Sequence, residues 1–539
     1  MEKNFTSRTG IPRLVEGVYQ WLVDHTALLI GIVAAASLLG MLLLRLHLVA
    51  AYIPELGGVE SNVIYALQRL LDGYPLYVDP ATAPYAITQY TPLYYYLCWL
   101  VGRITGVDAA NVYQVYVLSR GVSLGLNLLF AFLAYLILRR VFSINSWLST
   151  LAFVYAFVYL DEESFSRPDS LFNLLALLTT GFFLKLLIEE DRGKCHRYLI
   201  GASVLSVLAI FAKQSAIYLP VVLLFYLIFF LQKLRWSMVA LLTMTATFGS
   251  LLVLSGQGDL HAFLQNTVQG VNNGVSFSWF AEHIMVEHFQ KERLLNILGL
   301  FTGGFFLAAG RSHSLRFLGL SIVSSFTFAL ITSVKIGAAP NYFTEFITLT
   351  VMATVIFITA YGPTVSRPVP RTSMKPTTAY APLFYLLLVI FTLPPRFAGK
   401  YVKKVAEANE LGKQGYEANR AVAEFLYQEE RLLPTEQVFV TTHVHDYLNK
   451  FLYRNVIFPQ KEIVLANPPN AYDYSAFYRG VQDGTVDYVI ASLPERHVDT
   501  VGQDVKVRFD FIGTDFSSYT PIKQVGDYLI FRHERPIDR

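Results

Sequence analysis

The chain has 539 residues, of which 54% are hydrophobic, 14% aromatic and only 15% charged, with a mean hydropathy of +0.42. Soluble domains carry roughly 25% charged residues, so these values, with many apolar runs about 20 residues long, exclude a soluble protein and indicate an integral membrane protein. The formal net charge of +3 comes from short basic clusters between apolar runs, not from a basic stripe, so nucleic acid is not an expected partner.

A charged stretch precedes the first apolar run, 26–53, and contains no small-residue cleavage site, so that run reads as a retained span. Further runs lie at 112–138, 145–160, 170–189, 197–212, 216–232, 236–254, 293–309, 315–334, 342–361 and 379–393. The stretch "YTPLYYYLCWLVGRITG" (90–106) is short and starts near a proline. If it does not cross, the cations Arg139, Arg140, Lys185, Arg192, Lys194, Arg197, Lys233, Arg235, Arg311, Arg316, Arg367, Arg371 and Lys375 all share the side of the N-terminus. The positive-inside rule then makes 90–106 a re-entrant or interface-lying helix and the N-terminus cytoplasmic. The expected fold is a polytopic α-helical membrane protein of about eleven spans in the cytoplasmic (inner) membrane. Cys98 and Cys195 fall on opposite sides, so a structural disulfide is not expected.

The first outer loop, about 54–111, is long enough to carry its own structure. "GGVESNVIYALQRLLDGYPLY" places Val63, Ile64, Leu67, Leu70 and Leu71 on a helical stripe, with Glu60 at its start. The ordinary role for Glu60 is a favourable charge at a helix N-terminus. The functional alternative is a general base held at the membrane surface. A second acidic cluster, "DEESFSRPDS" (161–170), joins two spans on the same side and holds Asp161, Glu162, Glu163, Arg167 and Asp169. It reads either as a solvated turn or as groups held close to the membrane. Arg45, His47, Arg120, Lys213, Gln214, Lys335 and Glu345 fall near the same level. Charges in hydrocarbon are costly unless paired or facing a cavity, so their convergence predicts a polar cavity on the outer side. Its cations suit an anionic lipid head group.

The long outer loop 255–292 carries "GVNNG" and is a plausible lid. Within it Glu282, His283, Glu287 and His288 recur at helical spacing, which fits a solvated amphipathic helix better than a metal site. Beyond 394 the chain becomes charged and turn-rich. "AEANELGKQGYEANRAVAEFLYQEERLLP" reads as an amphipathic helix, and "QVFVTT", "VDYVIASL", "VKVRFDF" and "DYLIF" read as strands. Residues 394–539 therefore form one small outward-facing α/β soluble domain beside a membrane module of 1–393. "HVHD" (443–446) puts two histidines on one strand face, but no third metal ligand is evident.

The segments "GGVESNVIYALQRLLDGYPLYVDP", "YTPLYYYL", "LSRGVSLGLNLLFAFLAYLILRRVF", "SFSRPDSLFNLLALL" and "FAKQSAIYLP" resemble the GT-C superfamily of membrane glycosyltransferases, in particular the branch of protein O-mannosyltransferases and lipid A aminoarabinose transferases. The resemblance covers about 26–220 well and is looser beyond. It implies an inverting hexosyl or pentosyl transferase that takes a sugar from a polyprenyl-phosphate donor. The acceptor would be a protein, lipid or glycan on the outer face. It also implies Glu60 as the catalytic carboxylate that acts on the acceptor, without a neighbouring second acid. Arg120, Arg167, Lys213 and Lys335 are candidates for the departing phosphate. Glu163 or Asp169 would bind the acceptor, hold the base or help bind a cation. Tyr85, Gln89 and Tyr90 are candidates for the sugar. Some members use a divalent cation and others do not; no spacing here demands one. A transporter or flippase of lipid-linked saccharides, and an inactive envelope scaffold, are the competing expectations.

Overall fold

The computed structural model describes residues 13–56, 58–160, 166–255, 259–361, 399–441, 447–459, 472–492 and 519–533. A long helix, α1 (Arg13–Val49), leads into α2 (Glu60–Leu71) and α3 (Leu93–Thr105). The membrane helices continue as α4 (Val112–Arg140), α5 (Ser146–Tyr159), α6 (Asp169–Ile188), α7 (Arg192–Ala212), α8 (Tyr218–Phe225) and α9 (Leu234–Ser255). Two short helices, α10 (Leu260–Leu264) and α11 (Phe277–Trp279), precede α12 (Arg293–Ala309), α13 (His313–Ser333) and α14 (Thr344–Tyr361). Polar side chains start several of them. Asn111, Asn145, Asp191 and Ser312 each accept a backbone N–H from the first turn of α4, α5, α7 and α13.

Among the described residues seven helices are long and apolar enough to cross a bilayer, and eight if the Phe277–Gln290 and Arg293–Ala309 segments, bent by 77°, form one span. The sequence expectation of about eleven also counted 145–160 and 216–232, which form the shorter apolar helices Ser146–Tyr159 and Gln214–Phe230. The run 379–393 lies outside the described residues. The chain is a polytopic helical membrane protein. Helix α3 has 13 residues, about 20 Å at 1.5 Å per residue, against a hydrocarbon core of roughly 30 Å.

Antiparallel neighbours gather helix ends on one face. Arg45 near the end of α1 bonds to the Leu160 carbonyl at the end of α5. Asp169 at the start of α6 meets Lys213 at the end of α7 and Asn341 just before α14. Tyr218 at the start of α8 donates to Glu345 in the first turn of α14. On the opposite face Lys185 bonds to the Arg140 carbonyl and Tyr226 to the His313 carbonyl. The basic clusters at 139–140, 192–197, 233–235 and 311–316 lie at that second face.

The C-terminal part opens with α15 (Gly399–Glu424), followed by β1 (Val438–Val440), α16 (Leu448–Phe451), β2 (Val456–Ile457), α17 (Ser475–Asp483), β3 (Tyr488–Ser492), β4 (Tyr519–Val525) and β5 (Tyr528–His533). The strands form one sheet in the order β2-β1-β3-β5-β4, parallel through β2, β1 and β3 and antiparallel beyond. Strands were expected at β1, β3 and β5 and are found there. The edge strands β2 and β4 were not expected: the first has two residues, and the second contains Pro521, which an edge tolerates. "VKVRFDF" and "HVHD" lie outside the described residues, as does the expected domain boundary near 393.

This α/β domain sits on the loop face of the membrane helices. Helix α15 crosses the chain just after α1 so closely that a Cβ on Gly412 would run into the Tyr52 carbonyl oxygen. Asn409 accepts the Tyr52 backbone N–H at 2.7 Å. A second apolar core joins Tyr85 and Ile87 of the first loop to Phe439, Phe458, Tyr474 and Phe477 of the domain.

Candidate functional site

Every residue of α2 is buried. Its first turn would leave backbone N–H groups unsatisfied, and Val59 before it offers no side-chain cap. Glu55 supplies one from five residues upstream: its two carboxylate oxygens accept the N–H groups of Glu60 at 2.8 Å and Ser61 at 2.9 Å. Glu60 itself turns inward. Its oxygens accept Nε and Nη2 of Arg120 at 2.7 and 2.8 Å, and one of them also accepts the Leu56 N–H at 2.9 Å. Neither side chain of the pair is exposed.

Arg120 also ties down the chain between α1 and α2. Nη1 donates to the carbonyls of Ala51 at 2.8 Å and Leu48 at 3.3 Å, and Nη2 to that of Ile53 at 2.6 Å. A guanidinium has five N–H donors, and these bonds with the two to Glu60 occupy them. Tyr116, one turn away, lies under the guanidinium at 4.9 Å and donates to the Pro54 carbonyl.

The sequence reading expects Glu60 as base and Arg120 as phosphate binder; the structure binds the two to each other inside the protein, an arrangement that gives those separate roles no support. A buried carboxylate in a bidentate pair has no surface to offer an acceptor, and an arginine with its donors used has none for a phosphate. A second acid that the sequence reading does not count lies close to Glu60: Glu55, which is half-buried. The one available signal was an acid after a proline, "PEL", closely preceding a helix start.

The second acidic cluster forms around Asp169, 2% exposed at the start of α6. Lys213 Nζ donates to its Oδ1 at 2.5 Å and Asn341 Nδ2 to the same oxygen at 2.7 Å. Arg167 Nε lies 3.6 Å from Oδ2. The Lys213 ammonium also sits 4.4 Å from the Tyr342 ring centre. Glu163 lies outside the described residues.

A line of hydroxyls joins the two clusters. Ser170, next to Asp169, reaches Ser123 Oγ at 3.2 Å, and Ser123 and Ser119 each bond to the Tyr94 hydroxyl at 2.8 and 3.0 Å. Ser119 precedes Arg120 on α4, so the Glu60 and Asp169 centres belong to one polar layer.

Lys335 lies between α13 and α14 and is half-buried. Among the described residues its ammonium has no hydrogen-bonded or ionic partner. Burial, and secondly the charge of Lys213, push its pKa down to about 8. Tyr90 is buried within the field of Arg167, Lys213 and Asp169; burial raises its phenol and the two cations oppose the rise. Gln89 is held by the loop 255–292: its Nε2 donates to the Gly270 carbonyl at 2.8 Å, while Gln214 donates to the Gln89 carbonyl at 2.6 Å. Tyr85 is elsewhere. Its ring packs on Phe458, Tyr474 and Phe477 of the α/β domain, so this placement gives the expected sugar contact no support.

Within the 255–292 loop, Ser278 donates to Glu282, His283 lies against Trp279 with ring centres 4.0 Å apart, and buried His288 stacks on Phe343 and meets Asn296. Among the described residues no group of three or more His, Cys, Asp or Glu side chains could hold a metal ion. Cys98 and Cys195 are both free and buried.

No family model matches the sequence, and no curated protein matches it. The fold does match solved structures. ArnT from Cupriavidus metallidurans, bound to undecaprenyl phosphate, superposes with a TM-score of 0.57 at 13% identity, covering 93% of this chain and 97% of that one. The archaeal oligosaccharyltransferase AglB from Archaeoglobus fulgidus, in complex with an inhibitory peptide and a dolichol-phosphate, gives 0.52 at 13% identity, covering 88% and 70%. The likeness shows the fold alone: a bundle of membrane helices with an α/β sheet region packed on one face.

Proposed function

We propose that this chain is an inverting glycosyltransferase that moves a sugar from a polyprenyl-phosphate carrier to an acceptor hydroxyl at the outer face of the cytoplasmic membrane. The observation that carries the proposal is the single polar layer where acidic and basic side chains from α2, α4, α6, α7 and the α13–α14 turn converge on one face. Support also comes from the fold shared with proteins solved with undecaprenyl phosphate and with dolichol-phosphate. The basic clusters of the opposite face favour placing that face in the cytoplasm.

In the proposed reaction the acceptor oxygen attacks the anomeric carbon as its bond to the phosphate oxygen breaks. The acceptor proton goes to a carboxylate, and the electron pair leaves with the lipid phosphate. Phosphate is a good leaving group, so one general base is sufficient. Glu55 fits that role better than Glu60, because it retains exposed surface while Glu60 is enclosed by Arg120. Glu60 and Arg120 would then position Glu55 by fixing the chain on both sides of it. Lys335, with Arg167 and Lys213, would hold the phosphate charge. Tyr90 and Gln89 would border the sugar, and Asp169 would keep Lys213 oriented.

The test is sugar transfer from undecaprenyl-phosphate-linked sugar by the full chain in liposomes. Glu55→Gln should abolish transfer. Transfer at the wild-type rate by that variant would remove Glu55 from the role. A wild-type chain that carries the sugar-lipid across vesicles without acceptor and transfers nothing would instead be a transporter.

A further inference from the structure

The α/β domain reaches into the first loop along the whole of α2. At its far end Arg454 makes a two-bond pair with Asp72 at 2.8 and 3.0 Å, and Tyr453 donates to the same carboxylate at 3.0 Å. In the middle Gln68 Nε2 donates to the Lys450 carbonyl at 3.1 Å and the Ala109 carbonyl at 2.9 Å. At the near end Lys450 Nζ donates to Ser61 Oγ at 2.7 Å. Lys450 is 1% exposed and Ser61 2%. A lysine is almost never so deeply buried without a specific partner.

The near end is the chemical one. The Ser61 N–H is bound by Glu55, and Ser61 directly follows Glu60. The ammonium therefore arrives from the soluble domain beside the loop that carries both acids. Tyr447, from the same segment, packs edge-on against Tyr116 at 5.5 Å, and Tyr116 underlies Arg120. One short stretch, Tyr447–Arg454, thus touches the support of both partners of the buried pair.

We propose that Lys450 is a positioning residue: through Ser61 it fixes the first turn of α2, so the α/β domain completes the acidic centre of the membrane module. Its effect on transfer rests on the reading of Glu55 given above; its effect on the geometry of α2 does not.

The experiment uses the full chain in detergent and in liposomes. Hydrogen exchange is read at the amides of 60–63 and 68–72 in Lys450→Met, Lys450→Arg, Ser61→Ala and Arg454→Ala. A charged hydrogen bond lost from a buried helix end should speed local exchange about tenfold or more. The expected result is faster exchange at 60–63 in Lys450→Met and Ser61→Ala, recovery in Lys450→Arg, and a change confined to 68–72 in Arg454→Ala. In transfer assays kcat should fall about 10- to 100-fold with little change in KM for undecaprenyl-phosphate-linked sugar. In Lys450→Met the acidic limb of the pH–rate profile should move to higher pH, because a positive charge beside the acids is gone. Unchanged exchange at 60–63 in both Lys450→Met and Ser61→Ala overturns the proposal. So does a loss spread evenly over 60–72, which would make Lys450 a docking contact only. If exchange responds as expected while the wild-type chain transfers no sugar, the functional reading fails and the positioning role stands.

Discussion

Glu60 and Arg120 are bound oxygen to nitrogen at 2.7 and 2.8 Å, and neither side chain is exposed to solvent. Such a pair is strongly asymmetric in its energetics. Removing one member strands a buried charge, whereas removing both leaves an apolar gap. Arg120→Leu should therefore destabilise the chain by about 3–5 kcal/mol, visible as a lower thermal midpoint in detergent. The double variant Glu60→Leu with Arg120→Leu should recover part of that loss, less than in an isolated pair because Arg120 also serves three carbonyls.

Glu55 and Glu60 should separate by phenotype. Glu55→Gln keeps only one of the two oxygens that cap α2, so it should cost some stability, less than Glu60→Gln, while transfer falls by about 10²-fold or more. Glu60→Gln should lower both thermal stability and transfer, since it weakens the pair that shapes the loop. Equal stability losses in the two variants would contradict this division.

Lys335 gives a pH signature. Its pKa is pushed down to about 8, first by burial and then by Lys213. Below that value the ammonium is already charged. Above it, binding a phosphate must also take up a proton, so affinity should fall about tenfold per pH unit above 8. Undecaprenyl phosphate titrated into detergent-solubilised protein from pH 7 to 10 checks this. Lys335→Arg should flatten the curve, because arginine stays charged throughout.

The Asp72–Arg454 contact should weaken in acid. Hydrogen bonds from Arg454 and then Tyr453 outweigh the partial burial of Asp72 and hold its carboxyl below the ordinary 3.8. A depressed folded pKa means that the contribution is full above 3.8 and is lost as pH falls through the lower folded value. The pair is partly exposed, so Arg454→Ala should cost no more than about 1 kcal/mol. Proteolytic sensitivity of the 447–459 segment reports both effects.

Gly412→Ala should loosen the α/β domain far more than Arg454→Ala. The added carbon would meet the Tyr52 backbone oxygen, and neither backbone can yield by rotating a side chain. Crosslinking between cysteines introduced at Tyr52 and Tyr416, whose rings lie 5.1 Å apart, measures that separation.

The fold was legible where hydropathy carries it. The long helices, the amphipathic helix α15 and the interior strands β1, β3 and β5 all follow from periodicity. The polar level was legible too, because charges in apolar runs need a reason. Pairing was not. Glu60 and Arg120 are 60 residues apart and Asp169 and Lys213 are 44 apart, and no local pattern says which charge meets which. Glu55 escaped because it caps α2 from outside the helix. The packing of Tyr85 on Phe458, Tyr474 and Phe477 was not legible because an aromatic beside a polar loop suits a sugar and a domain interface equally well.

The bond between Ser61 and Lys450 spans 389 positions of the chain. During synthesis the first loop is laid down early, yet the residues that seal it emerge near the end. Its final shape must therefore wait until synthesis has passed Lys450, and a product stopped before that point would retain its membrane helices without a closed loop. Tight coupling of so distant a pair delays maturation, and it makes the assembled loop a marker of a chain whose α/β sheet region has docked.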